Sequence, residues 1–474
     1  MSERYYIFTP SEKPLSLAEA VSSLKAAVIR YDSQSLSLNG RKHSRFVRFS
    51  QPVESSDLKN WLFNQTIYPR LFWMNREKDF ALAGIGIADS IRSEGTGNNE
   101  SIFSEFGKVM SEKNPEALYY GGFRFNSIEI QEPIWKEFSS FYFVLPLVQL
   151  SFENSAYHLS CNLWIEHEEH TSEKIAALTA ALDRVNCSTE CPSMKLPELL
   201  NLSYNPDEKN WHETCLKALE TFESGYMEKI MLARQTVLEF KSDFSPFLFL
   251  IRYPYPENAI YNFYFEPSEN NAFFSFTPER LYRRDGNMLL TEALAGTCSK
   301  ETINGDHNDA SEALLNSEKD IREHKFVKDM IYEELLEVSS DIDMEEDVRV
   351  LQLNRLAHLY TCCSAKLKPE FENDSAVLKS LHPTPAVGGV PKAPALIHIM
   401  ELEPFSRGWY AGPVGWISRN AAEFSVGIRS ALVSGNVAYL YSGAGLVKGS
   451  DPASEWEEVD QKIGDLLAIT RQEV

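Results

Sequence analysis

Between Leu381 and Lys392 the chain reads Leu-His-Pro-Thr-Pro-Ala-Val-Gly-Gly-Val-Pro-Lys, and no ordinary helix or strand can be made of it. Each proline fixes its own φ and pushes the residue before it toward an extended conformation, while the paired glycines permit a turn that side-chained residues resist. The stretch therefore reads as a rigid, open loop. Taken alone, it reads as a structural turn.

The loop sits among many short elements. Helical apolar spacing marks Ser16–Tyr31, Ser172–Val185, Trp211–Gly225, Ser311–Val338, Ser375–Leu381 and Pro452–Thr470, the last with its proline in the first turn, where the missing N–H is harmless. Runs rich in branched and aromatic residues predict strands at Arg70–Met74, Phe80–Gly84, Tyr119–Phe125, Phe141–Leu150, Tyr157–Ile165, Lys229–Phe240, Ile260–Phe265 and Ala272–Phe276. Asp285-Gly286 predicts a hairpin, and Phe424–Val433 pairs with Val437–Ala444 across Ser434-Gly435-Asn436. Val348–Leu356 and Leu359–Leu367 fit either an extended or a helical segment. Gly84-Ile85-Gly86 lacks the third glycine and the acidic residue of a dinucleotide loop, so it reads as a tight turn. Cys187–Asp207, rich in Pro, Ser and Asn, reads as a linker or surface excursion dividing residues 1–205 from 206–474. So many hairpins among helices imply an α+β architecture rather than a doubly wound sheet.

A formal charge of −22 on 474 residues, with no concentrated basic patch, excludes nucleic acid and anionic membrane as partners. The apolar runs Phe141–Leu150 and Phe244–Ile251 are broken by proline or too short to span a bilayer, and Met1–Tyr6 has no signal-peptide pattern, so a soluble, cytoplasmic protein is expected. Seven scattered cysteines without a CxxC argue against a disulfide scaffold or zinc knuckle. Cys187 and Cys191 are expected to be buried thiols.

Two helices each carry acids at i,i+3: Asp320 with Glu323, and Glu455 with Glu458. In so acidic a chain each pair alone is a solvated face. If the helices meet, four carboxylates around one point must bind a cation or take up protons. Mg²⁺ is the natural cation, because it takes one or two carboxylates with waters and an anionic substrate oxygen. Arg429, in an otherwise apolar strand, could fork onto a second substrate carboxylate, and Lys462 could assist it or pair with Glu458. Lys229 and Glu279 are candidates for base and acid, since a lysine beside Mg²⁺ and Arg429 is pushed toward the neutral form a base needs. Read from the residues alone, each is more simply an exposed salt-bridge residue, and His358 a satisfied core histidine.

At these residues the chain resembles the chorismate-utilising enzymes, the isochorismate, salicylate, anthranilate and aminodeoxychorismate synthases. The resemblance is carried by Lys229–Arg234, Thr277–Leu281, Thr291–Thr297, Ser317–His324, Arg355–Leu359, Leu381–Lys392, Arg407–Trp416, Ser442–Val447 and Glu455–Lys462, and continues faintly through Arg70–Trp73, Gly84–Ala88 and Tyr120–Phe125. Anthranilate-forming members carry glutamine where Lys229 stands, aminodeoxychorismate synthases place a lysine at the position of Ala295, and salicylate synthases usually have a different loop in place of His382–Gly389. The resemblance therefore implies an isochorismate synthase, with a menaquinone-type extent of N-terminal region and a salicylate synthase as the alternative. It also implies a large antiparallel β-sandwich-like core flanked by helices, with chorismate as substrate and no glutaminase subunit.

By the same resemblance Lys229 activates water for attack at C2 of chorismate and Glu279 protonates the departing C4 hydroxyl. Glu323 and Glu458 hold Mg²⁺, supported by Asp320 and Glu455. Arg429, Tyr410, Lys462 and the backbone of Gly443, Ala444 and Gly445 receive the substrate's polar groups, while Thr297, His358 and His382 line the pocket. The family usually has Gly-Ala-Ser before the Pro-Glu of Glu279, whereas this chain has Ser275-Phe276-Thr277; Phe276 is expected to pack into the core.

Overall fold

The computed structural model describes all residues except 1–8, 36–44, 94, 96, 130–131, 166–170, 192–193, 224, 255–258, 300–306, 354–355 and 472–474. Among the described residues, 20 strands join in one hydrogen-bonded network whose strand ladders are all antiparallel, with helices packed on its faces. Two large apolar clusters fill the space between sheet layers and helices. Strand Arg70–Met74 pairs with Phe80–Ser93 on one side and Tyr261–Ser268 on the other, and Tyr119–Phe123 pairs with Pro413–Ile417. Strands from before and after residue 205 are thus interleaved. The expected linker is a strand in its second part, Leu199–Asn205, which pairs with Lys229–Phe240.

Other elements depart from expectation for local reasons. Ser311–Val338 is two helices, His307–Asn316 and Glu318–Val338, because the Ser317 hydroxyl accepts from the Asp320 N–H at 3.3 Å and caps the second. Phe424–Val433 is two strands, Ala421–Val426 and Ser430–Ser434, separated at Gly427-Ile428-Arg429. A Cβ on Gly427 would lie 2.9 Å from the Trp409 carbonyl oxygen, and Arg429 adopts φ 48°, so the backbone turns there rather than continuing the ladder. Gly84-Ile85-Gly86 is no turn: it lies inside a strand, and Gly86, at φ 66°, precedes a bulge at Ile87/Asp89. The segments near residue 350 are strands, Arg349–Gln352 and Leu356–Leu367, and Arg355 lies outside the described residues. Phe276 is buried and stacked on Tyr253 at 4.2 Å, as expected. Cys191 is exposed and Cys187 half-buried, so that pair is not buried, and no disulfide joins any of the seven cysteines. Among the described residues no helix is long and apolar enough to cross a membrane.

The proline- and glycine-rich loop leaves helix Asp374–Leu381, turns where the N–H groups of Val387 and Gly388 donate to the Thr384 carbonyl, and ends as the short strand Gly389–Val390. That strand pairs with Lys229 and Ile230, and the Met231 N–H donates to the Gly388 carbonyl at 2.8 Å. A Cβ on Gly389 would collide with the Lys229 carbonyl oxygen. The loop is stiff because it is the edge of the strand that carries Lys229.

A second close approach occurs at Gly408, which sits at φ 54° with the Trp135 ring where a Cβ would be. Gly408→Ala should therefore destabilise the protein by roughly 3 kcal/mol, from backbone strain and overpacking, read as a lowered urea midpoint.

Candidate active site

The strand Lys229–Phe240 lies between Val437–Val447 and the loop edge, with Lys229 opposite Val447 on one side and Val390 on the other. Strand alternation sends Lys229 and Met231 to the same face, which is the floor of a cavity. Gly445 stands opposite Met231; a Cβ there would lie 2.8 Å from the Met231 sulfur and 3.2 Å from the Lys229 Cε, so the glycine lets the lysine cross its neighbour strand. The Lys229 ammonium is buried and donates to Glu323 Oε1 at 2.7 Å.

Helix Glu318–Val338 brings Asp320 and Glu323 to the cavity, and helix Pro452–Arg471 brings Glu455, Glu458 and Lys462. The first helix can approach because the facing strand bulges at Gly296, which has φ 78°; a Cβ there would lie 3.1 Å from Asp320 Cβ. Lys462 donates to the Gly443 carbonyl at 3.0 Å and pairs with Glu458 at 2.7 Å. Glu323 and Glu458 each have a lysine as ion-pair partner, so positive charge is already what their position selects.

Glu279 lies on the same cavity and is 5% exposed. Burial, reinforced by the nearby Glu292 carboxylate, pushes its carboxyl up to about 8, against the opposing pull of a hydrogen bond from Thr384 and of Lys229 and Lys462. The Thr384 hydroxyl donates to Glu279 Oε1 at 3.3 Å. A carboxylic acid that keeps its proton at neutral pH is the form a general acid requires.

On the same cavity, Arg429 Nη2 donates to His358 Nε2 at 2.6 Å, and His358 Nδ1 lies 3.1 Å from the Thr297 hydroxyl. Burial, then the positive charges of Arg429 and Lys462, hold His358 well below its ordinary pKa. A neutral ring that accepts at Nε2 carries its proton on Nδ1, which faces the Thr297 hydroxyl and the Gly296 backbone as acceptors. Tyr410 stacks on Tyr441 with centroids 5.2 Å apart, and a Cβ on Gly443 would lie 2.9 Å from the Tyr410 oxygen.

The cavity therefore collects Lys229, Glu279, Thr297, His358, Tyr410, Arg429, Gly445, Lys462 and all four helix carboxylates. His382, Ala444 and Gly443 are absent from the cavity lining, and only for His382 does that differ from the role expected. His382 turns from the cavity: its ring packs edge-on against Phe103 and Phe125, its Nε2 donates to the Phe125 carbonyl at 2.9 Å, and burial pushes it down to about 3. The Ala444 side chain is buried in the core, because alternation from Gly445 points it to the other sheet face; the role expected of this residue was its backbone's. Gly443, expected to act through its backbone, accepts from Lys462 on its carbonyl. Met231, Ala386, Ile428 and Ser442 also line the cavity and were not expected, although the strand's two-residue period places Met231 on the same face as Lys229.

Behind the floor, Arg407 ties these parts together. Its guanidinium donates to the Val387 carbonyl of the loop and the Met231 carbonyl of the lysine strand, each at 2.8 Å, and forks onto Glu403, whose Oε1 accepts from the Ala233 N–H at 2.8 Å.

The chain matches the family described as "Chorismate binding enzyme" over residues 32–471, and it belongs to that family. Within it, the chain is 30% identical to the isochorismate synthase MenF of Haemophilus influenzae over 457 residues, covering 96% of this chain and 97% of the relative. It is 32% identical over 400 residues to the chloroplastic isochorismate synthase of Catharanthus roseus, covering 83% of this chain and 69% of that one. The solved structure of the menaquinone-specific isochorismate synthase MenF from Escherichia coli superposes with a TM-score of 0.82 at 28% identity, covering 96% of this chain and all of that chain.

The Arg407–Glu403 pair is 1% and 3% exposed, so Glu403→Ala would leave a buried guanidinium without its carboxylate. The variant should lose about 3–5 kcal/mol of stability, measured by urea unfolding.

Proposed function

We propose that this chain is an isochorismate synthase that converts chorismate reversibly to isochorismate. The observation that carries the reading is one cavity lined by a buried lysine, a carboxylic acid held protonated near neutral pH, and two helix-borne carboxylate pairs. The relatives named isochorismate synthase support it.

In this reading Lys229 accepts a proton from water as the water oxygen bonds to C2 of the substrate. The two ring double bonds shift, the C4–oxygen bond breaks, and Glu279 gives its proton to the departing hydroxyl. One water enters and one leaves, so the product is an isomer of the substrate. Arg429, locked by His358, offers a cation to a substrate carboxylate, with Lys462 and the Tyr410 and Thr297 hydroxyls as further donors.

The donor set fits Mg²⁺. Among the described residues no three His, Cys, Asp or Glu side chains form a ready-made metal cage, whereas Mg²⁺ uses one or two carboxylates and keeps waters and substrate oxygens for the rest. Glu323 and Glu458 would hold it, with Asp320 and Glu455 supporting. When bound, it would neutralise and orient a substrate carboxylate. Glu323 already accepts from the Lys229 ammonium at 2.7 Å, so a cation held there would share that carboxylate with the lysine.

Purified protein with chorismate and Mg²⁺ should yield isochorismate, and chelation should abolish turnover; salicylate fluorescence without an added lyase would contradict the product assignment. Lys229→Ala and Glu279→Gln should each lower kcat by about 10²–10⁴-fold. Glu279 holds its proton below about 8, so kcat should fall as the pH rises through that value.

A further inference from the structure

Glu279 sits between two residues whose backbone is held from behind. Arg76, in the turn between strands Arg70–Met74 and Phe80–Ser93, donates through Nη1 to the Pro278 carbonyl at 2.9 Å. Glu292, on strand Met288–Ser299, accepts the Arg280 N–H on Oε1 at 2.9 Å. The same two side chains fork onto one another, Nη1 to Oε1 at 2.8 Å and Nη2 to Oε2 at 2.7 Å, with side chains 8% and 0% exposed. The Glu279 carbonyl accepts from the Val426 N–H and its own N–H donates to the Thr277 hydroxyl, so each backbone polar group from the Pro278 carbonyl to the Arg280 N–H has a named partner.

We propose that Arg76 and Glu292 are positioning residues for the acid: one guanidinium–carboxylate pair, half of it supplied by the first part of the chain, that grips the backbone on both sides of Glu279 and sets the charge behind its carboxyl. The inference rests on Glu279 being the general acid. It goes beyond that assignment because neither residue lines the cavity.

The two charges act on the acid in opposite senses. Glu292 is the neighbour that most strongly favours the protonated form of Glu279 after burial itself. Arg76 neutralises Glu292 and so moderates it. Around this pair stand Arg280, ion-paired with Glu77 at 2.6 Å, and Glu423. From the cavity side Lys229, Lys462, Arg429 and Tyr410 face the acid, with Thr384 bonded to it. Removing Glu292's charge exposes Glu279 to Arg76, whereas removing Arg76's charge exposes it to Glu292. The two changes displace the acid's titration in opposite directions, although both loosen the same clamp.

The test is the pH dependence of kcat for chorismate turnover at saturating Mg²⁺. Glu292→Gln should move the alkaline limb down, and Arg76→Met should move it up, each by about half a pH unit or more. Both should lower kcat about tenfold with KM nearly unchanged, through misplacement of the acid. Any pair of shifts other than these opposite ones overturns the proposal; should Arg76→Met fail to fold, Glu292→Gln decides alone, and an unmoved or raised limb overturns it. Glu279→Gln is measured alongside: activity within tenfold of the native protein would defeat the acid assignment itself, a different outcome from a dead Glu279→Gln with unmoved limbs in the other variants.

Discussion

The contact between Lys229 and Glu323 is the interaction on which the rest of the site depends. It joins the central strand to the helix Glu318–Val338, two elements whose contact residues are far apart in sequence, at 2.7 Å in a place where the lysine side chain is almost fully buried. A buried ammonium without a carboxylate would be strongly unfavourable, and a second acidic helix beside the first would be repelled without cations between them. The two lysine–glutamate pairs, Lys229 with Glu323 and Lys462 with Glu458, meet both conditions at once. The same charge balance makes the place suitable for a divalent cation and a substrate with two carboxylates.

The framework around that contact is built from close backbone approaches. Gly445 lets the lysine pass, the bulge at Gly296 admits the Asp320 helix, and Gly389 lets the stiff loop pair with the lysine strand. Arg407 then binds loop and strand to one buried guanidinium. These contacts fix the floor of the cavity on paired backbone rather than on mobile side chains, which is the condition under which an acid and a base can be held at a reacting ring.

Much of this is legible in the sequence, and the reasons for what is not are physical. The strand Lys229–Phe240 is readable to the residue, because its mostly apolar residues are buried on both faces, as in a strand inside a layered core. The i,i+3 acid pairs are readable because helical period alone puts them on one face, but that both faces meet at one cavity is a tertiary fact. The break at Ser317 escapes a reading by periodicity because a single hydroxyl outcompetes helix continuation without disturbing the apolar spacing. The family resemblance misplaces His382 because its neighbours in the stiff loop do reach the site, Thr384 on Glu279 and Ala386 in the wall, whereas the ring itself faces the Phe103 and Phe125 cluster. Arg76 carries no signal, since its partner Glu292 lies far along the chain and only folding brings them together.

If Lys229 and Glu279 pass one water in and another out across the substrate ring, the oxygen of the new hydroxyl must come from solvent. The most direct measurement is the fate of oxygen when chorismate is turned over briefly in ¹⁸O-water with Mg²⁺ and the product is analysed by mass spectrometry. One ¹⁸O in the new hydroxyl at C2 is the predicted result. An unlabelled product, formed by migration of the substrate's own hydroxyl, would contradict it.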